Sequence, residues 1–361
     1  MSGPVMIMAG GTGGHVFPAL AIAGELRAAR EIVWLGTERG IEARLVPAAG
    51  YPVEWIEVEG LRGKGVGRWL GAPVRLLRAV AQARAALRRR RPGVVLGLGG
   101  FASGPGGIAA WLAGTPLVIH EQNAVAGLTN RWLSRFASRI AEGFPGSFPA
   151  GRGALYVGNP VRPEIAALPP PRQRFESRSG PLRLFVFGGS QGAASLNRLL
   201  PAAIALLPES RRPLVLHQTG PRDRDATEAA YRAAGVRADV RAFVEDMAAA
   251  YAEADLVVSR AGALTVAELS AAGVGAILVP FPSAVDDHQT RNAEWLGRVS
   301  AAQVVSETGL TAPELANRLA TLLGNGRTRL LAMAEAARAQ ARPDAARRMA
   351  ELCLQAEGRR P

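Results

Sequence analysis

Short apolar and β-branched runs alternate along the chain with Ala/Leu/Arg-rich stretches of helical length. The runs fall at residues 5–9, 31–35, 94–98, 116–120, 184–187, 215–217, 256–259 and 276–279. They lack the polar alternation of a half-exposed strand, so each reads as a strand buried on both faces. Strands that alternate with helices predict an α/β protein with parallel sheets, whose sites gather at the carboxyl ends of the strands. The pattern also repeats: residues 5–9 lead into Gly-Gly-Thr-Gly-Gly and an apolar helical stretch, and residues 184–187 lead into Gly-Gly-Ser-Gln-Gly and another. Two Rossmann-like units follow from that repeat, divided near residue 163 by a Pro-, Arg- and Ser-rich stretch, 160–181, that reads as a linker with an exposed segment. The predicted units are 1–163 and 164–340. The Ala/Arg-rich end of the chain, from about residue 313, reads as helical, and 341–361 is expected to pack back on the first unit.

Length and composition fit this division. A chain of 361 residues that is 48% hydrophobic can bury two cores. The single cysteine, Cys353, excludes an intrachain disulfide and a cysteine-based zinc cluster. No basic stretch followed by a long apolar run opens the chain, so no signal peptide is expected. The most apolar region, 256–281, is interrupted by Arg260 and Glu268 and falls short of the roughly 18 apolar residues of a spanning helix. A soluble or peripheral protein is expected.

The formal net charge is +13, which calls for an anionic partner without choosing among nucleotide, nucleic acid and lipid headgroup. Its distribution says more. No carboxylate lies between Glu59 and Glu121, whereas Arg62, Lys64, Arg68, Arg75, Arg78, Arg84 and Arg88 to Arg91 all do. On a helical projection Arg68, Arg75 and Arg78 fall on one side and Trp69, Leu70, Leu76, Leu77 and Val80 on the other. Such a helix can rest on an anionic bilayer, or it can bury its apolar side in the core with a solvated arginine face. No nucleic-acid-binding motif accompanies the arginines.

Several motifs carry chemistry. Residues 10–15, Gly-Gly-Thr-Gly-Gly-His, join a strand to a helix, so backbone N–H groups could approach a ligand. His15 is then either a general base in a glycine-lined pocket or a hydrogen-bonded structural histidine. Residues 97–107 hold more glycine than one turn needs, which reads as close approach to a bulky ligand or as a flexible surface loop. His120, Glu121, Gln122 and Asn123 end a strand and read equally as groups for sugar hydroxyls or as a simple polar turn. Residues 188–192 offer a second set of N–H donors for phosphate. Residues 259–268 pass from strand through Gly262 into a helix, which reads equally as a positive end that would favour a diphosphate, with Glu268 one turn in, or as a capped helix with an exposed Glu in its first turns. The pair Asp286 and Asp287 is weak ground for a metal and reads equally as a solvated turn.

Taken together, residues 10–18, 99–107, 120–130, 158–162, 188–192, 243–247, 259–268 and 289–293 resemble, in order and over nearly the whole chain, the MurG family. Its members transfer N-acetylglucosamine (GlcNAc) from UDP-GlcNAc to undecaprenyl-pyrophosphoryl-N-acetylmuramyl-pentapeptide, lipid I, and so make lipid II. The resemblance implies a two-domain B-type glycosyltransferase fold whose halves face across a cleft, with the acceptor on the first domain and the donor mainly on the second. It places Thr12, Gly13, Gly14, Asn123, Arg162, Ser190, Val244, Ala263, Leu264, Thr265, Val266, Ala267, Glu268 and Gln289 at the donor site. Val244 would meet uracil through its backbone, the helix opened by Ala263 would face the diphosphate, Glu268 would hold ribose and Gln289 the sugar. His15 takes the catalytic position. Phe101 stands where similar sequences often carry Tyr, which removes one hydroxyl.

The implied reaction is inverting, with one base on the attacking hydroxyl and UDP leaving from the opposite face. UDP needs positive potential rather than a proton, and glycine-loop amides, the Ala263 helix end and Arg260 are the expected sources. No cofactor and no catalytic metal are expected. The implied partners are UDP-GlcNAc, the lipid-linked muramyl-pentapeptide and the anionic inner leaflet, with no nucleic acid; the implied location is peripheral, on the cytoplasmic face of the cell membrane. Other UDP-sugar transferases and a UDP-GlcNAc 2-epimerase share the architecture, and a non-catalytic nucleic-acid-binding protein has the net charge as its sole support.

Overall fold

The structure, a computed structural model, describes residues 3–58, 72–189, 192–324 and 326–357. It divides into two compact units, Met1–Val161 with Arg342–Pro361, and Arg162–Ala341.

The first unit is built on a seven-stranded parallel sheet: β1 (Val5–Met8), β2 (Ile32–Gly36), β3 (Val53–Trp55), β4 (Val94–Gly97), β5 (Leu117–Glu121), β6 (Arg139–Glu142) and β7 (Leu155–Tyr156). Its spatial order is β3-β2-β1-β4-β5-β6-β7. The second unit repeats the plan with β8 (Arg183–Phe187), β9 (Leu214–Gln218), β10 (Ala238–Arg241), β11 (Leu256–Ser259), β12 (Ala276–Leu278) and β13 (Ala302–Val304), ordered β10-β9-β8-β11-β12-β13. In each sheet the chain leaves the first strand in one direction and returns to its other side. This puts a topological switch point between β1 and β4 and another between β8 and β11, where crevices open at the strand ends.

The central strands are buried throughout, Val5–Met8 and Val94–Gly97 at every position. Their two faces are covered by separate clusters. One contains Val16, Ile22 and Leu26 of the helix Gly13–Leu26 and Met349 and Cys353 of the helix Ala345–Ala356. The other contains Ala83, Ala86 and Leu87 of the helix Ala72–Arg90 and Ala109 and Ala110 of the helix Ser103–Leu112. The last helix of the chain therefore completes the core of the first unit. The two before it, Ala312–Leu323 and Gly326–Ala339, stay in the second, where Leu315, Leu319, Leu330 and Met333 join its core.

Residues 160–181 correct an expectation: they are not an exposed linker. Short helices form at Pro163–Ala166 and Pro171–Glu176, Phe175 enters the core, and Arg174 is buried against main-chain carbonyls. Arg174 donates to the carbonyls of Pro169, Tyr251, Ala252, Ala272 and Gly273, several of them at the carboxyl ends of helices, where a cation is favoured. Burial lowers its guanidinium to about 10. Composition suggested a linker because proline and arginine are common in linkers; here proline starts helices and arginine caps them.

The predicted amphipathic helix starts at Ala72 in the structure, so Arg62, Lys64, Arg68, Trp69 and Leu70 lie outside the described residues. Within the helix the buried positions are Ala79, Ala83, Ala86 and Leu87. Val74 (70%), Leu76 and Leu77 (69%) stand exposed beside exposed Arg75 and Arg78, so this apolar stripe is not core. Among the described residues no helix is long and apolar enough to cross a membrane.

Candidate active site

In the first unit, β1 ends in the glycine loop and the helix Gly13–Leu26, which puts His15 in that helix's first turn. The second glycine-rich loop follows β4, on the other side of the switch point. The fully buried Ser103 hydroxyl lies 3.0 Å from the Met8 carbonyl and 2.7 Å from that of Gly99, and accepts from the Gly99 N–H at 3.1 Å, which fixes the loop against the end of β1. Gly99 passes directly under the imidazole. Its φ is +99°, and a Cβ there would stand 2.9 Å from His15 Cε1, so no larger residue fits.

His15 Nδ1 lies 3.0 Å from Gln122 Oε1. Gln122 Nε2 lies 3.0 Å from His120 Nδ1, and His120 Nε2 lies 2.9 Å from the Gly158 carbonyl. Glu121 accepts from Asn123 N–H (3.0 Å) and Nδ2 (3.1 Å), Gly127 N–H (3.1 Å) and Asn130 Nδ2 (2.9 Å). Residues 120–122 are therefore buried and bonded to protein groups, which corrects the expectation that they present hydroxyl-binding groups to a sugar. Desolvation lowers the His120 imidazole to about 4 and keeps it neutral.

The first glycine loop also departs from expectation. Gly11 N–H donates 2.8 Å to Glu42 Oε2, while Glu42 Oε1 accepts from Thr37 Oγ1 at 2.7 Å. Glu42 is fully buried. The chain's own carboxylate thus takes the Gly11 N–H, which is not available to a ligand. Thr12 and Gly14 are exposed at the start of the helix and Gly13 is half-buried. Phe101 is exposed, with its ring within 4.0 Å of a Cβ placed at Gly11.

In the second unit, the helix Ala263–Ala272 follows β11 with Gly262 as its N-cap. It has no acidic residue in its first turn and no side-chain cap, so no side chain takes its leading N–H groups. Ala263, Val266 and Glu268 are buried; Leu264, Thr265 and Ala267 are half-buried. Glu268 Oε1 accepts from Arg162 Nε (3.0 Å) and Nη2 (2.9 Å), and Oε2 accepts from the Tyr251 hydroxyl at 3.2 Å. Burial pushes the Glu268 carboxyl above its ordinary range, against the pull of Arg162 and Tyr251. Gln289 Oε1 accepts from Phe281 N–H (2.9 Å) and Ala261 N–H (3.3 Å), which leaves its amide nitrogen to donate.

The second glycine loop includes Ser190, which lies outside the described residues. Gly192 closes it with φ +76°, where a Cβ would stand 1.9 Å from the Thr219 carbonyl. Sequence reasoning missed Gln218. At the carboxyl end of β9 it accepts from Val244 N–H at 2.8 Å and donates to the Gly189 carbonyl at 3.1 Å, so it ties the loop to Val244. Its only sequence signal is a polar residue closing an apolar run. Because the Val244 N–H is taken, its carbonyl is the remaining backbone polar group of that residue. Arg260 is corrected as a source of positive potential: Glu307 holds it in a fork, 2.9 Å at both nitrogens, and neutralises it.

Asp286 and Asp287 both have positive φ, and Asp287 Oδ1 accepts from Thr290 Oγ1 at 2.6 Å. Among the described residues, no three of His, Cys, Asp and Glu lie close enough to share a metal ion.

Both units match known proteins. Residues 5–142 match the glycosyltransferase family 28 N-terminal domain, and residues 183–349 its C-terminal domain. A UDP-N-acetylglucosamine–N-acetylmuramyl-(pentapeptide) pyrophosphoryl-undecaprenol N-acetylglucosamine transferase from Nitrosococcus oceani is 56% identical over 352 residues, 97% of this chain and 98% of that protein. The crystal structure of Acinetobacter baumannii MurG superposes with a TM-score of 0.86 at 41% identity, over 98% of this chain and 99% of that one. A putative UDP-N-acetylglucosamine 2-epimerase from Listeria monocytogenes, 12% identical, superposes with a TM-score of 0.67 over 100% of this chain and 98% of that one, and shares the fold alone. With both domains matched and identity sustained over its length, the chain belongs to glycosyltransferase family 28 and, within it, to the MurG family of N-acetylglucosamine transferases.

Proposed function

We propose that the protein transfers GlcNAc from UDP-GlcNAc to the C4 hydroxyl of the N-acetylmuramyl residue of lipid I, with inversion, giving lipid II for peptidoglycan synthesis. The observation that carries this reading is the position of His15, in the first turn after β1 at the switch point, with its ring seated over Gly99 and its Nδ1 engaged by Gln122. Among the described residues its Nε2 has no partner, and that atom takes the proton.

In the reaction the acceptor hydroxyl loses its proton to His15 Nε2 while its oxygen bonds to the anomeric carbon. The bond from that carbon to the β-phosphate oxygen breaks, and its electron pair leaves with UDP. The amino end of the helix Ala263–Ala272 stabilises the departing charge. Glu268, held by Arg162, accepts from the ribose hydroxyls; the Val244 carbonyl meets the base; Gln289 donates to the sugar. Ser190, Thr12, Gly13, Gly14 and Asn123 complete the donor contacts carried over from the family. This chemistry needs neither a metal nor a cofactor.

The acceptor is lipid-borne, so the enzyme works as a peripheral protein on the cytoplasmic face of the cell membrane. The exposed Val74, Leu76 and Leu77 beside Arg75 and Arg78 support contact with an anionic leaflet rather than nucleic acid. Profiling purified protein against UDP-sugars and acceptors, with and without EDTA, tests the assignment. GlcNAc transfer from UDP-GlcNAc to lipid I, undiminished by EDTA, is expected. Inertness toward lipid I, release of free epimerised sugar, or loss of transfer that divalent metal restores would overturn the corresponding part.

A further inference from the structure

The carbonyl oxygen of Gly158 can only accept, so the atom 2.9 Å from it, His120 Nε2, carries a hydrogen. His120 is fully buried and neutral, which leaves Nδ1 as a bare lone pair. The group 3.0 Å from that lone pair must therefore donate, and it is the Gln122 amide nitrogen. Its second hydrogen has a partner as well, the His120 carbonyl at 3.2 Å. With both amide hydrogens used in this direction, Gln122 cannot turn over without setting its oxygen against a lone pair and a carbonyl. The amide oxygen consequently faces His15 Nδ1 at 3.0 Å and can only accept. His15 Nδ1 must carry the hydrogen.

We propose that His120 and Gln122 are positioning residues for His15: a one-directional relay from the Gly158 carbonyl holds His15 as its Nδ1–H tautomer and leaves Nε2 as the proton acceptor. The relay deepens the reading above and rests on it for its catalytic meaning. Its parts come from separate places in the chain: His120 from the end of β5, Gln122 directly after it, and Gly158 from beyond β7. Asn159 Nδ2 donates 2.9 Å to the Gln122 carbonyl and fixes that residue's main chain. The carboxylate that orients a catalytic histidine in hydrolase triads is replaced by a neutral amide. Charge on the developing imidazolium is therefore not offset by this partner, and the role of the relay is to set the tautomer.

The test is nitrogen-15 NMR of the full-length protein labelled at its histidine rings, recorded above about pH 7 where neutral imidazole dominates. His15→Asn and His120→Asn variants assign the signals. The expected spectrum shows His15 protonated at Nδ1 and bare at Nε2, and His120 the reverse. In Gln122→Met the His15 signals should shift toward the Nε2–H form. The same variant should lose kcat about tenfold or more, with the UDP-GlcNAc KM within about twofold, because the relay touches no donor group. Wild-type His15 protonated at Nε2, or Gln122→Met with unchanged tautomer and kcat, would overturn the relay. Should Gln122→Met not fold, the wild-type spectrum alone decides. An active His15→Ala enzyme would instead defeat the general-base reading, and the tautomer would still stand or fall on the spectrum.

Discussion

Arg162 meets Glu268 through two nitrogens on one carboxylate oxygen, while the Tyr251 hydroxyl holds the other oxygen. Glu268 is only 5% exposed, so this arrangement decides whether a buried carboxylate is tolerated. Arg162→Ala removes the partner and leaves the charge in the protein. A loss of about 3 kcal/mol in urea unfolding is expected, since breaking a buried pair costs more than the pair contributes. Glu268→Ala should raise the KM for UDP-GlcNAc about tenfold or more while the acceptor KM stays put, as expected of a ribose contact. A donor KM unchanged in Glu268→Ala would remove Glu268 from the donor site.

Gly99 lies under the His15 imidazole with φ +99°. Gly99→Ala meets both a strained backbone and a ring 2.9 Å away, and since the ring cannot leave without breaking its bond to Gln122, kcat is expected to fall about tenfold or more. Donor binding, measured by calorimetry, should be largely retained because the second unit, which carries most of the proposed donor contacts, is untouched. Wild-type kcat in Gly99→Ala would show that the ring position is not critical.

His217 stands in the core of the second unit, with Nδ1 3.0 Å from the Tyr231 hydroxyl and Nε2 3.1 Å from Asn197 Oδ1. Burial depresses it to about 3. Above pH 6.5, its ordinary value, folded and unfolded chains both carry it neutral, so it adds no pH dependence. As pH falls through 6.5 toward about 3, the unfolded chain takes up a proton that the folded chain refuses. Stability should drop by up to ~1.4 kcal/mol per pH unit from this group across that window. His120 acts in the same sense down to about 4. Urea melts of wild type and His217→Gln between these limits check it: the variant should lose less stability on acidification, and parallel curves would contradict the account.

Val74 and Leu77 are exposed on the first turns of the helix Ala72–Arg90, clear of its buried face. Replacing both with Asp should abolish co-sedimentation with vesicles containing phosphatidylglycerol and leave the melting temperature unchanged. Binding by wild type should weaken with salt, as a surface held partly by cations near an anionic bilayer does. Vesicle binding retained by the double variant would move the membrane contact elsewhere.

What could be read from sequence follows burial. Residues 5–9, 94–98, 184–187 and 256–259 announced strands because they sit mid-sheet with both faces covered, and the switch-point loops followed from them. Val53–Trp55, Leu155–Tyr156, Ala238–Arg241 and Ala302–Val304 gave no such run, because they lie at sheet edges where one side meets solvent and polar residues intrude. The glycine loops and His15 were legible as motifs. The partners that give them meaning were not: Glu42 reaches Gly11 from 31 residues away, and Gln122 reaches His15 across 107. Linear pattern marks a polar residue at a strand end but not the direction in which its hydrogen bonds run.

The central claim, that His15 takes the proton from the acceptor hydroxyl, is tested most directly by the rate of labelled GlcNAc transfer from UDP-GlcNAc to lipid I. His15→Ala is predicted to lose about 10²- to 10⁴-fold in kcat with the donor KM little changed. Transfer by His15→Ala at the wild-type rate would contradict it.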